Sequence, residues 1–127
     1  MTKKPITLYK GAFFTVECAI LRNGSSESEK FIDNLSIPEQ TKILRIINRY
    51  ADFGKISNKQ LFHKVEGDIW EFKNFQVRIL MYHSENRIIV LTHGFKKKKD
   101  KIPPKEIVRS NNIMEEYERV KGGWAND

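Results

Sequence analysis

"DIWEFKNFQVRILMYHSENRIIVLTH", Asp68 to His93, decides the fold. It holds three β-rich runs: Asp68 to Lys73, Gln76 to Tyr82 and Arg87 to His93. Val, Ile, Phe, Tyr and Trp dominate them, as the pleated surface of a sheet favours. Only Asn74-Phe75 separates the first two runs, and His83-Ser84-Glu85-Asn86 separates the second two. Connections this short join antiparallel neighbours, so the stretch predicts a meander. "LFHKVEG" just ahead of it reads as a short strand or a lead-in.

Towards the N-terminus, Phe14, Val16, Cys18 and Ile20 alternate with Thr15, Glu17 and Ala19, which predicts a first strand. Cys18, alone of its kind, reads as a buried strand residue. Asn23-Gly24-Ser25-Ser26 breaks that strand. Ser26 with Glu29 fits a capping box, and Phe31, Ile32 and Leu35 predict a short helix. Ser36 with Glu39 is a second capping box, with Pro38 in the first turn, where its missing N–H does no harm. Ile43, Ile46, Ile47 and Tyr50 follow helical spacing, and Gly54 ends that helix as a C-cap.

Towards the C-terminus the chain reads "HGFKKKKDKIPPKE". Pro103-Pro104 stop any strand, and Pro104 opens a helix with Glu106 in its first turn. Ile107, Met114, Tyr117 and Val120 continue along one face, and "GGWAND" is expected to fray. The expected domain is therefore residues 1–121, with a short flexible tail at 122–127 and no internal repeat or linker. The element order is β-α-α-β-β-β-α: an α+β domain with two N-terminal helices and a C-terminal helix on a small curved antiparallel sheet.

Composition narrows the function. The chain has 127 residues, 39% hydrophobic and 31% charged, which suits one folded core rather than a disordered chain. No apolar run approaches the roughly 20 residues of a membrane span, and no apolar segment follows the basic N-terminus as in a secretory signal. One cysteine closes no internal disulfide, so the cytoplasm is the expected compartment. The net charge of +7 favours an anionic partner. Between His93 and Arg109, seven cations face only Asp100 and Glu106.

The usual chemical motifs are absent. There is no CxxC, HExxH, GxxxxGK[ST], GxGxxG or GxSxG, so no metal or nucleotide cofactor is expected. His63, His83 and His93 lack ligand-like helical spacing and read as surface or strand-edge residues. Glu66, Asp68 and Glu71 lie near cations and read equally as surface ion pairs. What remains is cationic. Arg78 stands mid-strand on one face with Gln76, Leu80 and Tyr82. Such an arginine needs water, a carboxylate or a ligand. Two readings stand: an ion pair with Glu71 across the hairpin, and contact with a substrate. Lys96 to Lys101 read either as a solvated loop or as a phosphate site. Tyr82 either packs or stacks on a base.

"HKVEGDIWEFKNFQVRILMYHSENRIIVLTHGFKKKKDKIPPKEI" resembles the phage-derived Gp49-like, HigB-type branch of the RelE/ParE toxin superfamily. Its pieces are K-x-x-G-x-x-W-E-x-R/K at Lys64 to Lys73, an arginine-bearing strand at Val77 to Met81, h-G-F-x-K-K within Ile88 to Lys97, and P-x-x-E-I at Pro103 to Ile107. The resemblance covers roughly residues 60–120. It implies a type II toxin, a metal-free endoribonuclease that cleaves mRNA on the ribosome, held by a cognate helix-turn-helix antitoxin of the HigA type. Operator DNA would then be met only through the antitoxin. Two alternatives are a non-enzymatic gyrase poison of the ParE type and an inactive basic nucleic-acid-binding domain.

The same resemblance places catalytic candidates at Arg78, Lys96, Lys97, Lys73 and Glu71. In such a reaction a ribose 2′-OH attacks the adjacent phosphate, and fixed cations stabilise the charge that develops. Arg78 offers a planar fork for phosphate oxygens. Lys73 stands where the family often has arginine, which keeps the charge and loses the fork. A crowded lysine and Glu71 are rival general bases. Lys64, Lys98, Lys99, Lys101 and Tyr82 are the RNA-binding candidates.

Overall fold

The computed structural model describes residues 4–124. Nine elements follow in order: β1 (Ile6–Lys10), β2 (Thr15–Cys18), α1 (Glu27–Asp33), α2 (Ile37–Phe53), β3 (Phe62–Glu66), β4 (Ile69–Asn74), β5 (Val77–His83), β6 (Ile88–Lys96) and α3 (Pro104–Trp124). The α+β class and the three helices agree with the sequence reading. The sheet is larger than expected. It has six strands in the order β1-β2-β6-β5-β4-β3.

The meander is present: β3, β4, β5 and β6 pair antiparallel in succession. Its turns are tight, with positive φ at Gly67, Phe75, Asn86 and Arg87. β2, by contrast, pairs parallel to β6, so the sheet is mixed rather than purely antiparallel. Its partner comes from the far end of the chain, where short-loop reasoning has no reach. β1 completes an edge hairpin with β2. "LFHKVEG" is a full strand, β3, on the other edge.

The helix signals hold in detail. Ser36 and Glu39 form the reciprocal capping box of α2, and Gly54 closes that helix in the left-handed region at φ 75°. At α1 the Ser26 hydroxyl accepts from Glu29 N–H at 3.4 Å, half of the expected box. α3 runs on through Gly122 and Gly123 to Trp124, whose ring meets Tyr117 edge-on. The expected tail is thus partly helix, and residues 125–127 lie outside the described residues.

Two layers of helix sandwich the sheet. α1 and α2 cover one face, where Ile43 and Ile47 meet Val16, Phe72, Ile79, Met81 and Leu91. Cys18 lies in this core, and burial pushes its thiol up to about 11, away from reactivity. α3 covers the other face, where Ile113 and Tyr117 meet Ile69, Leu80, Tyr82 and Val90. Double coverage explains why β5 is buried at six consecutive positions, Val77 to Tyr82, instead of alternating. Gly94 is needed for the close crossing of α1 over β6: a Cβ there would overlap the Phe31 ring. No helix among the described residues is long and apolar enough to cross a membrane.

Candidate functional site

Among the described residues Arg78 is the one guanidinium buried inside this double-sided sheet. It has no exposed surface. Its Nη1 donates to Glu71 Oε2 at 3.1 Å and to the Asp100 carbonyl at 3.2 Å. Its Nη2 donates to the carbonyls of Lys97 at 3.3 Å and Lys99 at 2.6 Å. Nε alone lacks a partner. The Glu71 pairing expected across the hairpin is present, and the rest of the fork is spent on main chain. Arg78 therefore seats the lysine loop from beneath.

Three further contacts pin that loop. Lys73 Nζ donates to the Asp100 carboxylate, and this contact holds the Asp100 pKa below its ordinary value. Lys97 N–H donates to the Gln76 carbonyl at 2.8 Å as the strand pairing ends. At the far end His93 Nε2 lies 3.2 Å from Glu106 Oε1 in the first turn of α3. His93 is buried within β6, where the sequence reading expects a surface or strand-edge position. Burial lowers its pKa below 6.5, against the opposing pull of Glu106. Beside it the Thr92 and Ser110 hydroxyls meet at 2.6 Å. A register shift in the β5–β6 pairing turns Thr92 and His93 together towards α3.

With three carbonyls turned inward, the loop presents its side chains outward. Lys97, Lys99 and Lys101 surround a shallow hollow of about 290 Å³ floored by Ile102, Pro103 and Pro104. Three lysine side chains around an apolar floor can bring cations to an anionic group that also carries a flat, poorly hydrated part. Lys98 is exposed and does not line the hollow.

The other sequence candidates divide. Glu71, Lys73 and Arg78 share the cluster under the loop. Glu71 is fully enclosed, and its second oxygen lies 3.0 Å from His63 Nε2, an ion-pair distance without hydrogen-bond alignment. So placed, it is screened from a ribose hydroxyl. Lys96 goes elsewhere: its ammonium pairs with Glu39 at 3.0 Å, at the N-terminus of α2. Lys96 and Lys97 are thus separated rather than delivered together. Tyr82 is 2% exposed and donates to Glu118 at 2.5 Å, so its ring has no face for a base. Lys64, on edge strand β3, opens onto a separate trough with Tyr50, Phe62 and Trp70.

Sequence reasoning missed His63, Asp100 and Glu106 as structural partners of the site. The β3–β4 register sets His63 opposite Glu71, a signal readable only once β3 is known to be a strand. Among the described residues no group of three or more His, Cys, Asp or Glu converges in a way that could hold a metal ion.

Fold and site together define a small α+β domain with a basic loop seated by a buried arginine at one end of a mixed sheet. The chain belongs to the phage-derived Gp49-like protein family (DUF891), which matches residues 30–115, a RelE/ParE-like toxin family of toxin–antitoxin systems. Membership implies an antitoxin partner. No curated protein matches the chain.

Proposed function

We propose that the protein is the toxin of a type II pair and a metal-independent endoribonuclease that cuts mRNA on the ribosome in the cytoplasm, neutralised by a helix-turn-helix antitoxin. The observation that carries this reading is the hollow of Lys97, Lys99 and Lys101 on a loop whose backbone Arg78 holds. An in-line attack of a 2′-OH on the adjacent phosphate gathers negative charge on the phosphorane oxygens. Lysines carried on a loop whose backbone is held can bring cations to that charge, and cations that meet the transition state more closely than the ground state speed the reaction.

In this reading Lys97, Lys99 and Lys101 touch phosphate oxygens. Arg78, Glu71 and Lys73 are positioning residues that shape the loop. Lys98 and Lys64 add attraction to ribosomal RNA, which falls as salt rises. Lys96 keeps α2 against the end of β6. The test is induced expression followed by mapping of transcript 5′ ends. Growth arrest with new ends inside translated frames supports the proposal. Arrest with intact transcripts and altered DNA supercoiling would point to gyrase instead, and harmless expression to a basic binding domain.

A further inference from the structure

A second cationic surface lies on α2, whose inner side packs on the sheet face opposite to α3. Lys42, Arg45, Arg49 and Phe53 fall at helical spacing and form one stripe on this helix. Lys55 continues the stripe beyond the Gly54 cap. These side chains border a groove of about 680 Å³, floored by Ile46, Ile56 and Leu61, and no acidic residue lines it. Some cations of the chain find carboxylates, as Lys73 does with Asp100, Lys96 with Glu39, Arg109 with Glu27 and Lys121 with Glu17, while others among the described residues, such as Lys64 and Arg87, do not. Among the described residues Arg45, Arg49 and Lys55 are exposed and make no such pair. Phe53 and Phe75 stand 69% and 79% exposed, and Lys42 lies over the Phe75 ring at 5.8 Å.

Like charges set side by side without a counter-charge repel, and exposed phenylalanines add apolar area that water disfavours. Both costs fall against an anionic occupant that also carries apolar groups. We infer that the groove binds an acidic, amphipathic segment of a partner protein, with carboxylates on Arg45 and Arg49 and aliphatic side chains on the Ile46–Ile56–Leu61 floor. The inference rests on the toxin–antitoxin reading only for the source of the segment, the antitoxin. RNA is the rival occupant, since Arg45, Arg49 and Phe53 offer phosphate contacts and stacking faces; the aliphatic Ile46–Ile56–Leu61 floor favours the aliphatic side chains of a peptide, and the oligouridine arm of the test separates the two. The stripe from Lys42 to Phe53 spans about 16 Å, the length of three turns of a partner helix. Because the lysine hollow lies on the loop under α3's side of the sheet, capture here leaves that hollow open.

The test uses the full chain and fluorescence anisotropy. The probe is a labelled Leu/Glu amphipathic peptide of about four turns, set against its Leu/Lys counterpart and against an oligouridine. The acidic peptide is expected to bind the wild type and to bind Arg45→Glu/Arg49→Glu at least about tenfold more weakly, about 1.4 kcal/mol. Phe53→Asp should also weaken it, whereas Lys98→Glu/Lys99→Glu should change it less than twofold. Both groove arginines are exposed, and matched melting curves verify folding; Arg45→Gln/Arg49→Gln serves if the reversal melts early. No binding of the acidic peptide by the wild type, an equal loss on reversing the lysine loop, or loss of oligouridine rather than peptide on reversing the groove would each overturn the inference. Growth arrest is scored separately. Arrest without peptide binding sinks the groove alone, and peptide binding without arrest sinks the toxin reading alone.

Discussion

At Arg78 a costly burial is made good by four contacts. One carboxylate and three carbonyls surround its two terminal nitrogens. Arg78→Ala would strand Glu71 inside the sheet beside the loop carbonyls, and a buried charge without its partner costs about 3–5 kcal/mol. Urea unfolding of the variant measures this directly, and a loss under 1 kcal/mol would mean the pair is no more than a surface bridge. The oddity of Arg78 was legible in the sequence, because an arginine between Val77 and Ile79 demands a partner. Glu71 was legible as that partner. The carbonyls of Lys97, Lys99 and Asp100 were not, since a main-chain acceptor looks the same at every residue. Tyr82 shows the same limit: Arg78, Leu80 and Tyr82 alternate along β5 as expected, Gln76 falls in the turn before it, and only the arrival of α3 decides that this face is closed.

Elements announce themselves by their ends. The Ser36–Glu39 box, Pro38 and Gly54 marked α2, and all three sit in their expected places. Ser36→Ala should cost about 1 kcal/mol, read as a lower melting temperature, since the Glu39 N–H then loses its acceptor. β1 carried weaker marks. Ile6 and Leu8 alternate for too few residues, and β1 is held mainly by pairing with β2. The parallel β2–β6 contact has no local signature at all. The seam between β6 and α3 adds a pH dependence. Burial holds the folded pKa of His93 below 6.5, so the neutral ring favours the folded state. That contribution is complete above the unfolded value and is lost as pH falls through about 6.5 towards the lower folded value. Stability measured from pH 7.5 to 5 should fall on this account, and His93→Gln should flatten the decline. An unchanged slope in that variant would assign the effect elsewhere.

Across the whole molecule, charge divides by role. Cations that shape the fold are tied to carboxylates, as Lys73 and Lys96 are, while those on the lysine hollow and on α2 are not. The sequence displayed the charge excess and the basic run at a glance. Its division into a seated loop, a separate Lys96 and a second basic stripe needed three dimensions, because Lys42, Arg45 and Arg49 are scattered in the chain and meet only on a helix face. On this reading Lys97, Lys99 and Lys101 form the reacting surface. The most direct measurement supplies purified protein to translating ribosomes and analyses the mRNA fragments. Cuts that leave 2′,3′-cyclic phosphate ends are expected, with a rate at least about 100-fold lower for Lys97→Ala/Lys99→Ala/Lys101→Ala at unchanged melting temperature. Undiminished cleavage by that triple variant would contradict it.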